Sequence, residues 1–190
     1  MKKIIAIVAA LVIVLGVFAA CGGEKTPEVV DVYADSTEVL TTIFAAYAEE
    51  NKFPIGGGDE NHMDYENPAP AMYDHTLTDE LNVVAKLPAS QSANIEGAAN
   101  AMNMMNANSF TSAAYKLVAG ADAAAFAADF KAELDNAQWM CGFPEKFVVI
   151  KTGSYIVTAY GLADFMGYFQ ETAVAALEGA EVILEGDIVA

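Results

Sequence analysis

Both histidines of this chain fall in one acidic stretch. Asp59, Glu60, His62, Asp64, Glu66, Asp74 and His75 lie between residues 59 and 75. Carboxylate oxygens are hard donors and imidazole is borderline, so this set has the chemistry to hold a divalent cation and run metal-assisted reactions. The spacing fits no standard cage. Read as an EF-hand from Asp59, position 5 is Met63, position 6 is Asp64 where glycine is required, and position 12 is Pro70. The expectation is therefore a solvated acidic loop with no resident cofactor. The alternative is a divalent cation on Asp59, Glu60, His62, Asp64, Glu66 and His75.

Other chemistry-bearing groups are weaker. Met102, Met104 and Met105 are thioethers of the kind that select Cu(I), but methionine is also an ordinary filler of cores and no Cys or His is close in sequence. Trp139-Met140-Cys141-Gly142-Phe143-Pro144 lacks the second cysteine of a redox motif, and it follows a helix where such a motif should begin one. Cys141 is expected to be a small buried residue at a helix-to-strand turn, with Trp139 and Phe143 closing the core. Gly56-Gly57-Gly58 is not followed by Gly-Lys-Ser/Thr, so it is no P-loop. No serine sits in a Gly-x-Ser-x-Gly elbow.

The elements that must position these groups can be read from periodicity. Asp35-Ser36-Thr37-Glu38 is a capping box with Asp35 as N-cap, ahead of Val39, Leu40, Ile43, Phe44 and Tyr47 at helical spacing. That predicts a helix of about four turns closing before Pro54. Residues 53–76 lose periodicity and form the long acidic loop. Residues 79–107 are ambiguous. Thr78 to Lys86 reads as a helical turn running into a strand, and Ser92 to Asn106 as a Met- and Ala-rich helix whose four Asn argue for irregularity. Beyond residue 107 the pattern predicts a strand from Ser109 to Val118 and a helix capped by Asp122 that carries Phe126, Phe130 and Leu134. A hairpin around Lys151–Ser154 follows. Next come a helix from Leu162 to Leu177 with Phe165 and Phe169 inward, and a strand from Glu181. The order βαββαβ predicts an α+β, ferredoxin-like sandwich over residues 108–190, an antiparallel sheet backed by two helices. Residues 35–107, with the first helix and the acidic loop, are then an N-terminal addition.

The chain begins Met1-Lys2-Lys3 and continues without a charge from Ile4 to Ala20, as a secretory signal peptide does. Ala19-Ala20-Cys21-Gly22-Gly23 resembles the lipobox of bacterial lipoprotein precursors, with Phe18 where leucine is usual. The resemblance implies that residues 1–20 are removed and that Cys21 carries a diacylglycerol. The domain then follows a tether over residues 21–34, on the outer face of the cell membrane, the membrane being its partner through that lipid. Removal of residues 1–20 takes away Lys2 and Lys3 and no acid, moving the formal net charge from −17 to −19. There is no arginine. Such a chain is repelled by phosphate backbones, which excludes nucleic acid as a partner. With Cys21 lipidated, Cys141 has no intramolecular partner, so the fold must stand on its apolar core.

The lipobox, "FPIGGGDENHMDYENPAP" (53–70), "MNMMNANSFTSAAYKLV" (102–118) and Asn136 to Pro144 together resemble uncharacterised lipoproteins of Gram-positive gut bacteria. The layout from about residue 80 onward is similar to a C-terminal domain of unknown function in those proteins. The resemblance implies a Gram-positive envelope and assigns no reaction. These readings converge on a membrane-anchored extracytoplasmic lipoprotein acting as a non-catalytic binding or accessory module for an envelope protein or a small ligand. The alternative is a metal-dependent extracytoplasmic enzyme or metal-binding protein using the acidic loop.

Overall fold

Four consecutive apolar residues, Phe147-Val148-Val149-Ile150, show how the molecule is layered. Successive side chains of a strand point to opposite faces, and here both faces are covered. Phe147 and Val149 enter one core, and Val148 and Ile150 enter another. A strand exposed on one side would alternate apolar and polar; a strand between two layers need not.

The computed structural model describes residues 31–189. The signal segment, Cys21 and the tether up to Val30 lie outside the described residues. The elements run α1 (Ser36–Ala45), β1 (Ile55–Gly56), β2 (Ala71–Tyr73), α2 (Thr78–Ala85), β3 (Ile95–Asn103), β4 (Phe110–Leu117), α3 (Ala123–Asn136), β5 (Lys146–Thr152), β6 (Tyr155–Gly161), α4 (Ala163–Ala176) and β7 (Glu181–Asp187). This is a mixed α+β fold built on one seven-stranded sheet, antiparallel throughout, in the order β1-β3-β4-β6-β5-β7, with β2 also on the outer edge of β3.

The order differs from the ferredoxin-like one in a single placement. There the last strand would return beside β4; here β7 pairs with β5. The edge of β4 that it would occupy is filled by β3, from Ile95↔Leu117 to Met102↔Thr111. This has a consequence for the helices. β4–α3–β5 and β6–α4–β7 each join parallel strands with one antiparallel strand between them, and both cross the sheet in the same sense. β4 and β6 point in opposite directions, so two right-handed crossovers must place their helices on opposite faces. Phe126, Phe130 and Leu134 of α3 accordingly lie in one core with Leu81 and Ala85 of α2. Met166, Phe169 and Ala173 of α4 lie in the other with Val39, Leu40 and Ile43 of α1. The expected packing of Phe126 and Phe130 with Phe165 and Phe169 on a single face does not occur.

The segment expected as a helix from Ser92 is a short 3-10 stretch (Ala89–Asn94) followed by β3. Alanine favours helix in isolation, but strand formation depends on neighbours, and β3 has them on both edges and both faces. Ala98 enters one core while Ala99 and Ala101 enter the other. The boundary expected at residues 107/108 therefore falls between two paired strands, and residues 35–107 are part of the sheet's construction. α1 is shorter than expected, ten residues ending at Ala45. Its N-cap forms as the sequence suggests, Asp35 Oδ1 accepting the Glu38 N–H at 2.9 Å, while Glu38 reaches one residue beyond the cap to the Ala34 N–H at 2.6 Å.

The described end of the tether is held down. Ser154 donates its N–H and Oγ to Asp31 at 3.0 and 2.6 Å, and Tyr155 donates its hydroxyl to the Tyr33 carbonyl at 3.1 Å. At the opposite end of the sheet the Trp139–Pro144 loop also departs from expectation. Trp139 packs on Tyr160 at 5.3 Å between ring centroids, but Cys141 and Phe143 are exposed. The loop is fastened by polar groups in place of apolar ones. Asn106 donates to the Cys141 carbonyl at 2.9 Å, and Asn108 to the Met140 carbonyl at 2.6 Å. Among the described residues no helix is long and apolar enough to cross a membrane.

Candidate functional site

The acidic loop is built around one buried carboxylate. Two glycines start it. A side chain at Gly57 would put its Cβ 1.9 Å from the Asn100 carbonyl oxygen, and Gly58 has φ +99°; only glycine meets both demands without strain. The chain can thus lie directly on β3, where the Gly58 N–H donates to Asn100 Oδ1 at 2.7 Å. That contact delivers Asp59 to the interior, its side chain 0% exposed. Asp59 accepts the Asn61 N–H at 2.8 Å, the Asp74 N–H at 2.7 Å, and His62 Nδ1 at 2.7 and 2.8 Å to its two oxygens. Burial works to raise the Asp59 carboxyl, but the Asp74 and Asn61 N–H groups and the His62 ring outweigh it and hold it below the usual carboxylate range. The expectation of a merely solvated loop fails at this residue, because a carboxylate with four short hydrogen bonds ties residues 59–62 to the start of the next segment.

The remaining acids divide into two groups. Asp64 is exposed and closes a local turn by accepting the Glu66 and Asn67 N–H groups at 2.8 and 3.0 Å, which lower its pKa. Glu60 and Glu66 are also exposed. Asp74 accepts from the Thr76 hydroxyl and N–H at 2.7 and 2.9 Å, and these bonds lower its pKa. His62, Asp74 and His75 line one cleft of ≈ 510 Å³; Glu60, Asp64 and Glu66 do not reach it. Cys21 lies outside the described residues. Among the described residues no group of three or more His, Cys, Asp or Glu is disposed to hold a metal ion.

The rest of the cleft comes from elements that periodicity did not mark as functional. Its floor is the start of β3, with Glu96, Gly97 and Ala98, and its walls are the first turn of α1 and Lys116 of β4. Lys116 Nζ stands 3.4 Å from Glu96 and 3.7 Å from Asp31, and it also borders a second cleft of ≈ 950 Å³ toward α3. Tyr73, on the same wall as His62, donates its hydroxyl to Glu80 at 3.1 Å. Burial first, then that bond and the charges of Glu80 and Asp59, push the phenol up to about 12. Ser36, at the start of α1, is 4% exposed, and its Oγ has no hydrogen-bond partner among the described residues. Sequence reading used Ser36 only as part of a capping box and Lys116 only as one position of the strand from Ser109 to Val118; neither carries a local signal of a site.

Asp59 and His62 form a held pair, with Nδ1 of the ring fixed on the carboxylate and the ring one-third exposed beside the cleft. The chemical capacity of the site is therefore polar recognition by groups of both signs, around one fixed imidazole. No protein-family model, curated protein or solved structure matches this chain.

Proposed function

We propose that this protein is a lipid-anchored extracytoplasmic module, held to the outer face of the membrane through Cys21 in a Gram-positive envelope, that binds a small ligand without transforming it. The observation that carries the binding half is the cleft of ≈ 510 Å³, within the size range of small-molecule sites. A buried anchor at Asp59 holds one of its walls in place. The lipidation half rests on the Ala19-Ala20-Cys21 sequence after an uncharged run, and two acyl chains suffice for a stable anchor.

The test has two parts. Metabolic labelling with a fatty-acid analogue should mark the wild-type protein and not Cys21→Ser, and the variant should leave the membrane fraction or remain uncleaved. Label on Cys21→Ser would overturn the anchor. Thermal melts of the full chain against a small-metabolite library should give at least one saturable stabilisation that Lys116→Met removes; a library without such a hit would overturn the binding reading. The metal-dependent alternative draws on the His62–Asp59 pair alone. Ca²⁺, Zn²⁺ or Mn²⁺ would have to raise the melting temperature saturably beyond NaCl of matched ionic strength.

A further inference from the structure

The floor of the cleft contains a recess with an unused hydrogen-bonding group. Ser36 Oγ is buried and unpartnered among the described residues, and Gly97 faces it across the start of β3. A Cβ at Gly97 would stand 3.6 Å from Ser36 Oγ and 3.4 Å from Lys116 Cβ, in ordinary contact with both. Glycine is not required there by backbone conformation, since Gly97 does not have a positive φ. Its effect is to place no side chain between the hydroxyl and the cleft that both residues line. A buried hydroxyl without a partner is costly unless something enters to satisfy it.

The charges around this recess carry both signs. Lys116 stands there with Asp35, Asp74 and Glu96, and the His62 and His75 rings line the same cleft. A purely anionic ligand meets three carboxylates and the field of a chain with net charge −17. A purely cationic one meets the Lys116 ammonium, which stands 3.4 Å from Glu96. A ligand with both an ammonium and a carboxylate avoids each penalty, because it is neutral at long range and complementary at short range. We infer that the recess between Ser36 and Gly97 anchors a small zwitterion of the amino-acid class. Its carboxylate is directed to the Ser36 hydroxyl and Lys116, and its ammonium to Glu96 and Asp74. This rests on the cleft being a small-ligand site, as proposed above.

The test uses the full chain in detergent micelles. Thermal melts and calorimetry are run with the common amino acids, with the matched amines lacking the carboxylate, and with the matched acids lacking the amine. The expected result is saturable binding of one or more amino acids that neither matched series reproduces. Ser36→Ala should weaken it about tenfold, the loss of one hydrogen bond to a charged group. Gly97→Ala, which the geometry accommodates, should weaken it by closing the recess while the ligand-free chain keeps its fold. Equal binding of the amines or the acids, lost on Lys116→Met, would overturn the zwitterion assignment and leave the small-ligand site standing. Amino-acid binding indifferent to both Ser36→Ala and Gly97→Ala would overturn the recess as its location. No binding in any of the three series would overturn the assignment, and the wider library screen then decides the small-ligand site itself.

Discussion

Removing the Asp59 carboxylate should release the loop. In Asp59→Ala the N–H groups of Asn61 and Asp74 lose acceptors at 2.8 and 2.7 Å, and the His62 ring loses its hydrogen-bond partner among the described residues. Each part-buried donor left unsatisfied costs about 1–3 kcal/mol, so the two backbone groups together predict a loss of about 2–6 kcal/mol. Asp59→Asn keeps the shape and one acceptor oxygen, and should cost less, about 1–3 kcal/mol. Urea unfolding measures both, with an unchanged slope expected because the fold is retained. The pH dependence gives a second check. Asp59's folded pKa is depressed, so its contribution is complete above the unfolded carboxyl value of about 3.9 and is lost as pH falls through the folded pKa. The stability gap between wild type and Asp59→Asn should therefore hold at neutral pH and narrow below about pH 4. A cost under about 0.5 kcal/mol for Asp59→Ala, or a gap that widens on acidification, would refute the view that this carboxylate organises the loop.

Two further outcomes follow from the layering and the loop's seat on β3. Phe130→Ala and Phe169→Ala should each cost about 3–5 kcal/mol. Because the two rings lie in separate cores, the double variant should lose their sum to within about 0.5 kcal/mol; strong coupling in the double-mutant cycle would mean a shared core. Gly57→Ala cannot place its methyl without moving the chain off Asn100. It should cost more than about 2 kcal/mol and expose residues 59–70 to limited proteolysis, and an unchanged digestion pattern would count against that close approach.

Much of the local structure was legible because its causes are local. Asp35 and Asp122 cap helices through N–H groups two or three residues away, and Gly153 turns a hairpin with φ +56°. The positive φ of Cys141, +63°, by contrast, was not readable, because the Asn106 and Asn108 side chains that fasten that loop come from more than 30 residues away. The candidate site was half legible. His62, Asp74 and His75 were singled out for their chemistry and do share a cleft, whereas Glu60, Asp64 and Glu66 have the same chemistry and lie outside it. Which carboxylate turns inward depends on Gly57 and Gly58 meeting Asn100 across 42 residues of sequence, and no spacing within the loop encodes that.

The sequence by itself determined where most helices and strands begin, that the chain is acidic and free of arginine, and that an uncharged run ends at Cys21. Only the tertiary structure decided that β3 is a strand and that β7 goes to β5. It also decided that α3 and α4 therefore face away from each other across the sheet. Helix periodicity and caps arise within a few residues, so they survive in a one-dimensional reading. An edge of β4 already occupied by a strand is a fact about space, and the hand of the crossovers turns that one occupancy into a three-layer molecule, with a cleft where α1, the acidic loop and the ends of β3 and β4 meet.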